Sequence, residues 1–127
     1  MKVEHVAFWV KDLEAMKVFY TTYFDVVANE KYFNPKKSFS SYFLSFSSGS
    51  RIELMHRPDI SERLEDAMML GLTHIAISLG SEQQVDALTK RMQEDGISIV
   101  GKPRRTGDGY YESVVMDPEG NQIELTV

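Results

Sequence analysis

The chain repeats itself. Val3-Glu4-His5-Val6-Ala7-Phe8 and Leu72-Thr73-His74-Ile75-Ala76-Ile77 share one pattern, apolar-x-His-apolar-Ala-apolar, with the histidines 69 positions apart. Gly49-Ser50-Arg51-Ile52-Glu53-Leu54 and Gly120-Asn121-Gln122-Ile123-Glu124-Leu125 also match, at an offset of 71. The step from His to Glu is 48 in the first half and 50 in the second. Two matches in the same order, at nearly the same offset, indicate a duplicated module. Each copy opens on a histidine strand and closes on an Ile-Glu-Leu strand. The 127 residues make about one domain. That domain divides into modules at 1–57 and 72–127, with a linker over 58–71 that carries a short helix around 61–70.

The intervening segments agree between halves. Asp12 is placed to cap a helix over 13–24, with Leu13, Met16, Phe19, Tyr20 and Tyr23 at helical spacing. Ser81 and Gln84 form a capping box for a second helix, with Val85, Leu88 and Met92 on one face and Gly96 at its end. Strand patterns follow at 42–46 and 51–55, then at 113–116 and 122–127. Asp117-Pro118-Glu119-Gly120-Asn121 is a strong turn between the last two. Each half reads as a strand, a helix and about three strands.

Alternation along the strands sorts the side chains into faces. His5, Ala7 and Trp9 share one face of their strand, and His74, Ala76 and Ser78 share one face of theirs. Arg51, Glu53 and Met55 oppose Ile52 and Leu54. Gln122, Glu124 and Thr126 oppose Ile123 and Leu125. The aliphatic faces suit packing on helices. The other faces hold one histidine or one glutamate per strand beside small or polar neighbours. When two such modules pair about a two-fold or pseudo-two-fold axis, His5, Glu53, His74 and Glu124 converge. Neutral imidazoles and carboxylates bind borderline divalent ions such as Zn, Ni, Co or Mn. Two glutamates balance the charge of such an ion. His56 lies outside the repeat and reads as an exposed loop residue, or at most a group at the edge of the cleft.

Composition narrows the alternatives. There is no cysteine, which excludes disulfides, thiolate metal sites, Fe–S clusters and cysteine nucleophiles. A net charge of −5 argues against nucleic-acid or anionic-membrane partners. No apolar run reaches the roughly 18 residues of a membrane span, and no signal-peptide pattern opens the chain. A cytoplasmic protein is the expectation.

The paired His and Ile-Glu-Leu strands, with Asp117-Pro118-Glu119-Gly120-Asn121-Gln122-Ile123-Glu124 near the end, resemble the vicinal oxygen chelate superfamily. This group includes glyoxalase I, extradiol dioxygenases, methylmalonyl-CoA epimerase and the fosfomycin and bleomycin resistance proteins. The resemblance covers nearly the whole chain. It implies an α+β fold of paired βαβββ modules, forming a half-open, cup-shaped mixed sheet around a metal site. The order His5, Glu53, His74, Glu124 looks most like the ligand set of glyoxalase I. One divalent ion per site is implied, with Glu53 and Glu124 as catalytic carboxylates, and a homodimer with shared sites.

The implied chemistry is a lyase or isomerase reaction. A proton is abstracted next to a carbonyl of a small 2-oxo or 2-hydroxy compound. A metabolite- or drug-binding protein and a thioester epimerase are the competing readings. Bacterial glyoxalase I carries an arginine four residues after its first ligand histidine and an asparagine four after its first ligand glutamate. Here those positions hold Trp9 and Arg57, so the metal set is carried over and the glutathione contacts are not. Trp9, Arg51 and Met55 are the candidate substrate contacts. Lys36-Lys37 and Arg104-Arg105 read as solvated loop charge, with a contact to a substrate anion as the alternative. Gly107-Asp108-Gly109, next to Tyr110-Tyr111, reads as an ordinary turn, with a flap over the site as the alternative.

Overall fold

The histidine strands form where the alternation places them, and a helix follows each. The computed structural model describes residues 1–61 and 70–127, and the chain divides into two units, Met1–Asp66 and Ala67–Val127. The helix expected around 61–70 falls largely outside the described residues. The first unit runs β1 (His5–Trp9), α1 (Leu13–Tyr23), β2 (Val27–Ala28), β3 (Tyr32–Asn34), β4 (Phe39–Ser45) and β5 (Arg51–His56). The second runs β6 (His74–Ser78), α2 (Glu82–Glu94), β7 (Ile99–Arg105), β8 (Tyr111–Met116) and β9 (Gln122–Thr126). The fold is α+β with a βαβββ plan, and the first unit adds one short strand to it.

The expected caps are present. Asp12 Oδ1 accepts from the Ala15 amide at 2.9 Å, and Ser81 Oγ accepts from the Gln84 amide at 3.3 Å. These bonds satisfy amides that the first helical turn leaves without partners. Helix α2 ends on Gly96, whose φ of +82° is a left-handed conformation that a Cβ would oppose. The Ile97 amide then reaches back to the Met92 carbonyl at 2.9 Å, the signature of a Schellman stop.

In the first unit the sheet order is β1-β5-β4-β2, with β3 also paired to β4. In the second it is β6-β9-β8-β7. Each histidine strand pairs in parallel with its Ile-Glu-Leu strand. The register aligns Ala7 with Glu53 in one unit and Ala76 with Glu124 in the other. All other pairings are antiparallel. A parallel pair needs a crossover, which α1 and the following strands supply in one unit, and α2 with its strands in the other.

The aliphatic strand faces form the cores. Ile52 and Leu54 are buried with Met16 and Tyr20 of α1, and Ile123 and Leu125 with Val85 and Met92 of α2. Burying each such side chain contributes about 1.5–3 kcal/mol. The second core also contains a polar contact. Thr89 of α2 and Ser113 of β8 share a hydrogen bond of 2.6 Å between buried hydroxyls, which offsets the cost of desolvating both.

Candidate metal centre

With its aliphatic face turned to the helix, each parallel strand pair leaves its His and Glu on the opposite face. His5 Nε2 lies 3.7 Å from Glu53 Oε2, and His74 Nε2 lies 3.5 Å from Glu124 Oε2. On the histidine-strand side the residue beside each glutamate in the ladder is an alanine, so only a methyl group flanks the carboxylate there; Phe43 and Val114 stand on the other side. The imidazoles are 38% and 43% exposed and the carboxylates 14% and 19%. Each pair thus presents half-open donor atoms above a packed floor.

The spacing suits a shared ion better than a direct bond. Hydrogen bonds of this type measure about 2.7–3.2 Å. Two donors each about 2.0–2.2 Å from one zinc ion stand roughly 3.4 Å apart at a tetrahedral angle. The donor chemistry, imidazole nitrogen with carboxylate oxygen, also fits a borderline divalent ion. Among the described residues, no group of three or more histidines and carboxylates forms a complete cluster for an ion. Each unit carries a pair.

The surroundings of the two pairs differ. Glu4 Oε2 sits 2.6 Å from His5 Nδ1, which leaves Nε2 to face the glutamate. An outer carboxylate of this kind orients a ligand imidazole. The same hydrogen bond, followed by that from Arg51, holds the Glu4 carboxyl below its usual range. In the second unit Glu112 lies beside Glu124. Burial first, and then the Glu112 carboxylate, push the Glu124 carboxyl above its usual range. Glu112 is itself nearly buried and ion-paired to Arg104 at 3.0 Å. The position 71 residues earlier is Ser41, so the duplication does not carry this second carboxylate into the first unit.

The comparisons with known proteins identify the family. Residues 2–125 match the model of the Glyoxalase/Bleomycin resistance protein/Dioxygenase superfamily. The chain belongs to this superfamily. A lactoylglutathione lyase of Arabidopsis thaliana is 30% identical over 125 residues, covering 95% of this chain and 42% of the plant enzyme. An uncharacterized Bacillus subtilis protein is 24% identical over 126 residues, covering 97% and 96% of the two chains. Glyoxalase I from Zea mays superposes with a TM-score of 0.81 at 22% identity, over 98% of this chain and 44% of that one. A glyoxalase family protein from Enterococcus faecalis gives 0.81 at 23%, over 99% and 97%. The chain thus spans less than half of either plant enzyme and nearly all of the two bacterial proteins.

In this superfamily member the other expected site residues fall as follows. Trp9, Arg51 and Met55 lie on the same face of the first sheet as His5 and Glu53, through the β1–β5 register. Trp9 is 50% exposed and meets Phe39 edge-on at 6.2 Å. Arg51 is held by Glu4 at 2.8 Å and stacks 4.1 Å above the Phe43 ring. Arg57 is paired with Asp59 at 2.6 Å. His56 is a correction. It ends β5 rather than sitting in a loop, and its Nδ1 lies 2.9 Å from the Val10 carbonyl, fastening the end of β1.

Arg104 and Arg105 are a second correction. Both lie on β7 and both are paired, Arg104 with Glu112 and Arg105 with Glu82. The Gly107-Asp108-Gly109 segment is a tight turn, closed by Thr106 hydrogen bonds to Tyr110 and Asp108. Sequence reasoning missed a groove of ≈ 530 Å³ lined by Val100, Gly101, Lys102, Pro103, Arg104, Val114 and Gln122. The signal was available in part, since Gln122 shares a face with Glu124 by simple alternation.

Proposed function

We propose that this chain is a metal-dependent lyase or isomerase of the glyoxalase type, acting on a small 2-oxo or 2-hydroxy compound. The observation that carries the reading is the recurrence, at the same ladder positions of both units, of a His–Glu pair 3.5–3.7 Å apart. His5, Glu53, His74 and Glu124 hold one Zn, Ni, Co or Mn ion per site, with sites shared across a homodimer. The similarity to lactoylglutathione lyase and glyoxalase I supports the same class of chemistry. When bound, the ion polarises the substrate carbonyl and so acidifies the neighbouring C–H.

The protein residues do the rest. Ala7 and Ala76, beside the glutamates, leave room for the substrate oxygens. A carboxylate of the set, Glu53 or Glu124, takes the proton from the carbon next to the carbonyl and returns it to the adjacent carbon. The buried strand faces beneath keep this carboxylate poorly hydrated, which strengthens its interaction with the substrate proton. Trp9, Arg51 and Met55 contact the remainder of the substrate. Trp9 and Arg57 stand where bacterial glyoxalase I has glutathione contacts, so those contacts do not carry over with the metal set, and the panel of test substrates extends beyond glutathione conjugates.

The test is solvent exchange. Metal-loaded protein is incubated in deuterated water with a panel of hemithioacetals and 2-oxo acids, and deuterium at the carbon next to the carbonyl is read by NMR. Incorporation that requires both the ion and Glu124 is expected. No incorporation with any panel member overturns the reading.

A further inference from the structure

The groove in the second unit adjoins the His74–Glu124 pair by register. Gln122 is the ladder partner of His74, and Val114 is the ladder partner of Glu124. From there the groove runs to β7, the edge of the sheet, where Lys102 and Arg104 line it. Arg104 is tethered at one end of its guanidinium. Its Nη2 donates to Glu112 Oε1 at 3.0 Å, and its Nη1 lies so close over residue 101 that a Cβ there would stand 2.7 Å away. A side chain at residue 101 would displace the end of the arginine. The guanidinium has five N–H donors in a planar fork, so the bond to Glu112 leaves donors for a ligand.

Lys102 and Arg104 bring two cations to the groove, Glu112 pairs with Arg104, and Glu124 lies within electrostatic reach of both Glu112 and Arg104. A carboxylate has two oxygens that fit an arginine fork, and it adds less negative charge beside these two glutamates than a phosphate dianion does. We propose that the groove receives a carboxylate carried by the substrate, held by Arg104 with Lys102. Strands β9 and β7 are two spacings apart, roughly 10 Å. The carboxylate is therefore remote from the carbonyl, as in a compound derived from a dicarboxylic or amino acid. Only this distance depends on the metal reading above. The anion site stands on the groove alone.

The test uses metal-free protein and butanoate as the probe, followed by ¹H–¹⁵N NMR. Butanoate shifts the amides of Val100, Gly101, Lys102 and Arg104 and the Arg104 Nε resonance, and butanamide does not. Arg104→Gln weakens butanoate binding about tenfold or more, the scale of a charge-assisted bond. Because Arg104→Gln leaves the Glu112 carboxylate without its cation, the double variant Arg104→Gln/Glu112→Gln is measured as well and gives the same loss. Absence of shifts, equal shifts with butanamide, unchanged affinity in both variants, or tighter binding of inorganic phosphate overturns the proposal. A separate zinc titration of the wild type reports the metal reading, so either idea can fail without the other.

Discussion

Glu53 and Glu124 sit at matching places in the repeat, and a carboxamide at either place removes the charge while keeping the shape. Glu53→Gln and Glu124→Gln are expected to lower zinc affinity by more than the roughly 10–100-fold typical of outer-sphere changes and to stop turnover. His56→Ala provides the contrast. It removes the contact to the Val10 carbonyl and costs about 1 kcal/mol in urea unfolding, with zinc affinity unchanged.

Glu14 gives a pH prediction at the same scale. Hydrogen bonds from Lys17 and Lys31 hold its carboxyl down to about 2 from 4.5. A folded-state value below the unfolded one adds stability that is complete above 4.5 and is lost as pH falls toward 2. The side chain is 51% exposed, so screening reduces the contribution to on the order of 0.5 kcal/mol. Glu14→Gln should flatten the stability profile across that acid window and nowhere else, as followed by thermal unfolding.

At the scale of elements, the turn between β8 and β9 decides where Glu124 lies. Asp117 is buried and its Oδ1 accepts from the Glu119 and Asn121 amides at 3.0 and 2.8 Å, while Oδ2 accepts from Asn121 Nδ2 at 2.7 Å. Asp117→Ala strands these donors and should cost about 2–3 kcal/mol in denaturant unfolding, with a drop in zinc affinity as β9 loosens.

Elements with strong local chemistry were legible in the chain. Asp12, Ser81 and Gly96 marked helix ends, and 3.6-residue spacing marked the buried faces of both helices. β2 and β3 were not legible. They are two and three residues long, too short for alternation to show. β7 was also obscured. Pro103 and two adjacent arginines suggest a loop, yet an edge strand tolerates proline and charge, and Glu112 and Glu82 neutralise the arginines.

Across the whole molecule the duplication is the organising fact. It placed a histidine strand and a glutamate strand in parallel contact twice, and the face of each donor could be read from alternation alone. The asymmetry between the copies could not be read that way. Glu4 beside His5 and Glu112 beside Glu124 arise from single residues that the repeat does not share, and their effect depends on side-chain geometry across strands. Among the described residues, no helix is long and apolar enough to cross a membrane, in keeping with the short amphipathic helices of both units.

Zinc titration calorimetry on the wild type, His5→Ala and His74→Ala tests the shared coordination sphere most directly. The account predicts one ion per chain in the wild type and loss of that binding, by more than about 100-fold, when either imidazole is removed. Two ions per chain that respond independently to the two substitutions, or an affinity that neither substitution changes, would contradict it.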